Sequence, residues 1–250
     1  MKLIMRADDL GFSEGVNYGI LKAVKNGVIT CVGIMTNMES AKHGYELIKD
    51  YDIAFGQHTN ICVGKPLSDP ALIPSLVKEN GEFCSSKEIR NRKEDTIDIK
   101  ECEIEIEAQL KKFQEITGRM PDYFECHAVS SHNFFIALKS IAKKYNLFYE
   151  NPLFDKDWEK ENGIVALPFA KLDEKGLYDA KKHMKDHLTL IKENPCTIAI
   201  FHPGYLDQYI LEHSSFTFIR AMECEFLCSD WLKEWIKDHH IELVDFRNYK

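Results

Sequence analysis

Short apolar runs recur along the chain at 3–7, 29–35, 53–57, 123–126, 147–149, 164–167, 197–201 and 241–244. Polar or turn-forming residues bound each run, and each is too short for a helix, so it reads as a buried strand. Between the runs, apolar residues repeat every three to four positions at 16–24, 41–48, 97–116, 135–144, 178–191 and 216–237. That spacing lines one face of a helix, and the last stretch divides in two near Ser229 and Asp230. Strand and helix alternating in this way build a parallel sheet with helices packed outside it. The expected fold is α/β, a barrel-like arrangement of seven or eight mostly parallel strands with surrounding helices in a single domain over 1–250; an open sheet is the alternative.

Two segments break the rhythm, 60–95 and 151–157. The first contains Pro66, Pro70, Pro74 and Gly81, too many breakers for one regular element. Irregular segments of that length in compact domains usually cover a site, so a substrate-covering lid is expected here.

Composition narrows the functions available. A net charge of -8 and a pI near 5.7 exclude a protein that tracks nucleic-acid phosphates, and they favour a neutral or cationic ligand. No apolar run approaches the roughly 18 residues of a membrane span, and Asp8 and Asp9 interrupt the N-terminal run before it reaches signal-sequence length. A cytoplasmic protein with no membrane partner is expected. The eight cysteines contain no Cys-x-x-Cys pair and read as reduced thiols, mostly in the core.

The chemistry concentrates at the ends of the apolar runs. The first ends in Asp8 and Asp9, the third in His58, the fourth in His127 and the seventh in His202. In a parallel sheet these ends share one rim, the C-terminal edge where α/β folds place their sites. Taken singly, an aspartate there is a helix cap and a histidine a packed core residue; four such ends together are a constellation. Two imidazoles, one carboxylate and open positions form the ligand set of a catalytic divalent ion. That set suits Zn, Mn, Fe or Co and, less well, Mg. The remaining carboxylate and histidine are then free for proton transfer.

The other histidines, at 43, 183, 187, 213, 239 and 240, fall in helical stretches and read as surface residues, while His132 lies in the loop after His127, within reach of the rim. Ser130 and Ser131 lack the Gly-x-Ser-x-Gly elbow of a serine hydrolase, and no phosphate-binding glycine loop is present. Phe12, Phe134 and Tyr205 lie next to the rim in sequence, where a sugar ring would stack.

The segment Arg6-Ala7-Asp8-Asp9-Leu10-Gly11-Phe12-Ser13 resembles the Asn-Ala-Asp-Asp-Phe-Gly-Leu-Ser opening of the YdjC-like carbohydrate deacetylases, the family that includes chitooligosaccharide deacetylase. The resemblance continues through Gly56-Gln57-His58-Thr59-Asn60, Gly64-Lys65-Pro66-Leu67-Ser68, Thr117-Gly118-Arg119-Met120-Pro121 and His202-Pro203-Gly204-Tyr205-Leu206-Asp207 to the C-terminal strand. It implies a barrel of βα units, often dimeric, that removes the N-acetyl group of an amino sugar or short oligosaccharide. By this likeness Asp9, His58 and His127 fall on the metal positions, Asp8 on the general base, and His202 on an active-site histidine that protonates the amine or steadies the oxyanion. Mg and Zn are the ions carried forward. One segment departs from the family: Glu125-Cys126-His127-Ala128-Val129-Ser130-Ser131 stands where many members have Asp-Ser-His-His-His-Val-His. The residues after the ligand position, which would touch the sugar, therefore differ. The rival readings are a metal-dependent hydrolase of another amide, ester or phosphoester, and a sugar-binding protein without turnover.

Overall fold

The computed structural model describes residues 1–249. Seven strands form one sheet: β1 (Lys2–Leu10), β2 (Cys31–Ile34), β3 (Ala54–Thr59), β4 (Tyr123–Cys126), β5 (Ile164–Ala166), β6 (Cys196–Phe201) and β7 (Glu242–Val244). Every pairing among them is parallel, in the order β4-β3-β2-β1-β6-β5. β6 runs along one edge of β1. The other edge is shared lengthwise, β7 pairing with Lys2 to Ile4 and β2 from Arg6 onward. The sheet curls into a half-barrel inside a ring of helices.

Most of the helices around the sheet follow from the sequence period, the short ones at 86–90, 156–162 and 208–213 excepted. The helices are α1 (Glu14–Asn26), α2 (Ala41–Ile48), α3 (Ser86–Arg90), α4 (Ile99–Thr117), α5 (His132–Tyr145), α6 (Lys156–Asn162), α7 (Ala180–Asp186), α8 (Leu188–Glu193), α9 (Gln208–His213), α10 (Phe218–Cys228) and α11 (Asp230–Asp238). Ser13, Asp98, Ser131 and Ser229 accept backbone N–H groups at the starts of α1, α4, α5 and α11. The break expected near Ser229 is the boundary between α10 and α11. The stretch 178–191 is two helices, because His187 leaves helical geometry and serves as the cap between them. At 147–149 the expected strand is reduced to a bridge between Tyr149 and Phe124. The chain there has too little room between the left-handed cap at Asn146 and Pro152, which has no N–H to extend a ladder.

Alternation along β1 sorts its side chains into two environments. Leu3, Met5 and Ala7 face outward and pack with Val16, Ile20 and Leu232 of the helices. Ile4 faces inward, onto a floor built with Cys31, Ala54, Tyr123, Ile198 and Val244. One layer above this floor the same inward face carries Arg6, and the next carries Asp8. Burying an unpaired charge costs more than the roughly 1.5–3 kcal/mol contributed by each buried apolar side chain, so these charges need partners.

The segment 60–95 is ordered rather than open. Ile61, Ile73, Leu76, Phe83 and Ile89 form a second core with α4 and α5, and Glu105 accepts the backbone N–H groups of Leu67 and Ser68. No helix among the described residues is long and apolar enough to cross a membrane. All eight cysteines are free thiols, six of them buried.

Candidate metal centre and active site

Asp8 reaches the inner rim by simple alternation from Ile4 and Arg6. Asp9 would point outward by the same rule. Instead, the register of β1 against β2 shifts between Ala7 and Leu10, and Asp9 adopts a left-handed conformation with φ 76°, which turns both carboxylates into the rim. A non-glycine residue in that region is strained, and such strain concentrates at functional sites. The turn is held from below: the N–H of Gly11 donates to Asn17 Oδ1 at 2.7 Å, and the buried Asn17 sits on α1. Opposite, Gly33 of β2 leaves the site its space, since a Cβ there would lie 3.2 Å from both Asp8 Oδ1 and Glu125 Oε1.

Asp9, His58 and His127 converge. Asp9 Oδ1 lies 3.1 Å from His58 Nε2 and 3.0 Å from His127 Nδ1, and the two ring nitrogens are 2.9 Å apart. Three donor atoms about 3 Å apart are spaced like adjacent ligands of one octahedral ion bound at about 2.1 Å. The charge balance agrees. With His58 and His127 neutral, as metal ligands must be, four buried carboxylates (Asp8, Asp9, Glu125 and Glu150) stand against two buried guanidiniums (Arg6 and Arg220), which leaves two negative charges for a cation to offset. The donor set and its charge both fit a divalent cation. Burial opposes charging of His127, yet Asp9 beside it raises its pKa to about 9; Glu125 and Asp8 likewise outweigh burial at His58 and raise its pKa. The rim attracts positive charge, and a metal ion there would displace protons.

The partners behind these groups orient them. His58 turns its other nitrogen, Nδ1, to Glu125 Oε1 at 2.5 Å, an arrangement that fixes the ring and raises its basicity toward an ion. Arg220 of α10 holds Asp9 Oδ2 at 2.8 Å and lies over the Phe12 ring. Arg6 grips Asp8 with two nitrogens, Nη2 to Oδ2 and Nε to Oδ1, each at 2.8 Å. Burial alone would raise the pKa of Asp8; the Arg6 guanidinium and His58 outweigh it and hold the carboxyl below its usual range.

His202 follows β6 on the opposite wall. Its backbone N–H donates to Glu223 Oε2 at 2.6 Å, and its ring meets Phe216 edge-on with centroids 5.1 Å apart. Burial pushes its pKa down to about 4 despite the pull of Asp9 and Asp8, so the ring is neutral near pH 7. Glu223 is buried as well, accepts a second hydrogen bond from the Tyr178 hydroxyl at 2.8 Å, and is pushed up to about 7 by burial.

All five sequence-selected residues, Asp8, Asp9, His58, His127 and His202, line one cavity of about 360 Å³. Phe12 lines it too. Phe134 does not, being fully buried in the second core, and Tyr205 is exposed outside the cavity lining. His132 begins α5 on the surface, and His213 is drawn to the cavity wall. Ser131 is spent as the cap of α5 and donates to Asp95, which leaves it no role as a nucleophile. Segment 60–95 supplies Val63, Ser86 and Arg90 to the wall.

Reasoning from sequence passed over Glu125, Glu150, Phe154, Phe169 and Phe216. Glu125 carried a signal, a lone acid in an apolar strand two residues before a rim histidine, so that both face inward. The three phenylalanines lie in irregular segments; no periodicity marks Phe154 and Phe169, and Phe216, expected to open the helical stretch 216–237, stands two residues before the helix that begins at Phe218. Phe169 is 64% exposed and Phe154 47%, both on the mouth of the cavity.

The profile of the YdjC-like protein family matches residues 2–238. A carbohydrate deacetylase 2 of Listeria innocua is 31% identical, the match covering 99% of this chain and 98% of that protein. A carbohydrate deacetylase of Geobacillus stearothermophilus is also 31% identical, over 98% and 97% of the two chains. Among solved structures, a proposed cellobiose-phosphate cleavage protein of Enterococcus faecalis V583 superimposes with a TM-score of 0.85 at 23% identity, covering 98% of this chain and 97% of that one. A family 4 acetyl xylan esterase of Clostridium thermocellum, in complex with a cobalt ion, shares the fold at a TM-score of 0.54 and 10% identity, over 100% and 90%.

Proposed function

Because the chain belongs to the YdjC-like family, we propose that it is a metal-dependent carbohydrate deacetylase, hydrolysing the N-acetyl group of an amino sugar or short oligosaccharide to acetate and a free amine. The observation that carries this reading is the triangle of Asp9 Oδ1, His58 Nε2 and His127 Nδ1 beside a second, separately held carboxylate. A divalent ion held by Asp9, His58 and His127 supplies Lewis acidity toward the acetyl carbonyl and toward a water. With two imidazoles and one carboxylate, the set favours Zn, Mn or Co over Mg.

The chain's own residues perform the remaining steps. Asp8 accepts the proton of the attacking water; its oxygens keep lone pairs beyond the two that face Arg6. Arg6 holds that carboxylate ionised and in place. As the water oxygen bonds to the acetyl carbon and the C–N bond breaks, the amine must gain a proton. The proton that Asp8 took from the water goes on to the amine nitrogen, directly or through the ring of His202, which is neutral at the outset and donates its N–H toward the developing oxyanion. Phe12, Phe154, Phe169 and Phe216 offer apolar faces on which a sugar ring stacks. The same reading includes a homodimer and a cytoplasmic setting, which rest on the family resemblance and on composition.

The test is acetate release from a panel of N-acetylated mono- and oligosaccharides, using protein stripped with a chelator and reloaded with Zn, Mn, Co or Mg. The proposal expects turnover of at least one N-acetyl sugar, abolished by stripping and restored by reloading. Faster cleavage of O-acetyl esters than of every amide would move the assignment to an esterase. No hydrolysis with any ion would leave a sugar-binding protein.

A further inference from the structure

His58 faces two acidic groups at once. Its Nε2 belongs to the triangle with Asp9 and His127. Its Nδ1 belongs to a second set, 2.5 Å from Glu125 Oε1 and 4.0 Å from Asp8 Oδ2, and the ligand atoms of Asp8, His58 and Glu125 all lie within 4.8 Å of one another. Glu150 lies on the far side of the Arg6 guanidinium from this set, in contact with its Nη1, and its Oε2 is buried without a hydrogen-bond partner. Two carboxylates and an imidazole, with a third carboxylate beside them across Arg6, are donors that an Mn ion takes.

The guanidinium of Arg6 already lies against that set. Nη2 is 2.8 Å from Asp8 Oδ2 and 3.6 Å from Glu125 Oε2, Nε is 2.8 Å from Asp8 Oδ1, and Nη1 contacts Glu150. Arg6 is therefore the shared counter-ion of all three carboxylates, and it is permanently charged.

We infer that Arg6 acts as a built-in cation in the second of two adjoining cation positions, which lie on either side of His58. It keeps the centre mononuclear and leaves Asp8 off the metal as the base. Arg6 is a positioning residue in this scheme. It fills by side chain the place where a second divalent ion would bind, and removing it opens that place. The inference rests on the proposed reading of Asp9, His58 and His127 as the first site.

The experiment counts metal. Full-length protein is stripped, equilibrated with Mn²⁺, freed of loose ion and analysed for bound manganese, with electron paramagnetic resonance reporting whether ions are coupled. Wild type holds one equivalent, and no second appears as Mn²⁺ rises to the millimolar range. Arg6→Asn holds two equivalents with a spin-coupled signal, while Arg6→Lys, which restores a cation, returns to one. If Arg6→Asn fails to fold by circular dichroism, the double variant Arg6→Asn with Glu150→Gln, which removes one of the freed charges, is measured instead and is expected to hold two. A second equivalent in the wild type, or a single one in a folded variant without the arginine, overturns the inference. No manganese, zinc or cobalt bound by the wild type overturns the reading of the first site instead.

Discussion

The two walls of the cavity are built by different rules. One wall, from β1, β3 and β4, presents Asp8, Asp9, His58 and His127 at strand ends, with almost no exposure and with Asp8, Asp9 and His58 each held by a residue behind it. The facing wall presents His202, Phe169 and Phe216, two of them in irregular segments and Phe169 largely exposed. The first wall places charges to fractions of an ångström, as bond making requires; the second offers adaptable surface, as recognition of a sugar requires. Mutations on the first should therefore strike metal binding or kcat; on the second, mutations of the phenylalanines should strike KM, while His202, which serves the chemistry, should strike kcat.

The largest effect is expected at a ligand. Asp9→Ala should lose the ion and lower kcat/KM by about 10³–10⁴, the several kcal/mol that such an ion supplies; metal analysis alongside kinetics checks this, and full metal content would break the assignment. Next is Asp8→Asn, which keeps the shape but cannot take a proton. It should lower kcat by about 10²–10⁴ with metal content unchanged, and loss of metal instead would show the two aspartates to have exchanged roles. On the facing wall, Phe169→Ala removes a stacking surface worth about 0.5–1.5 kcal/mol. KM should rise by about 3–10-fold with kcat held, and the reverse pattern would place Phe169 with the chemistry.

The smallest effect on turnover, though not on stability, is expected behind His202. Glu223 holds its proton in the folded protein to about pH 7, against 4.5 for an ordinary glutamate. Between those values the folded state binds more proton than the unfolded state, so stability falls as pH rises from 4.5 to 7 and levels off above, by up to about 3 kcal/mol. Glu223→Gln should flatten that slope. Denaturant melts at pH 5 and pH 8 read the difference, and parallel slopes for wild type and variant would assign the shift to another group.

The precise wall, with His202 opposite it, was also the legible part. Period-two alternation and a common strand direction bring Asp8, His58, His127 and His202 to one rim before any coordinate is known. Asp9 is different, for alternation sends it outward and only its left-handed backbone brings it in, a conformation no apolar pattern encodes. Arg6 was legible as a neighbour of Asp8 but not as a hub, because its contacts with Glu125 and Glu150 join segments more than a hundred residues apart. The segment at 60–95 was marked by its prolines as irregular, yet its apolar residues pack as a core. Any closing motion is therefore expected only near Ser86 and Arg90, where amide exchange should slow when a saccharide binds. Phe154 and Phe169 followed no period and were invisible, and Phe216, counted into the helical stretch 216–237, precedes the helix that begins at Phe218.

The account stands most directly on where an ion sits. Crystals of the protein loaded with Mn²⁺ or Zn²⁺, with anomalous data collected at the metal edge, locate it without reference to turnover. One peak is predicted, within about 2.0–2.4 Å of Asp9, His58 Nε2 and His127 Nδ1, with Asp8 still paired to Arg6. A peak held by Asp8 and Glu125 with Asp9 and His127 unligated would contradict it.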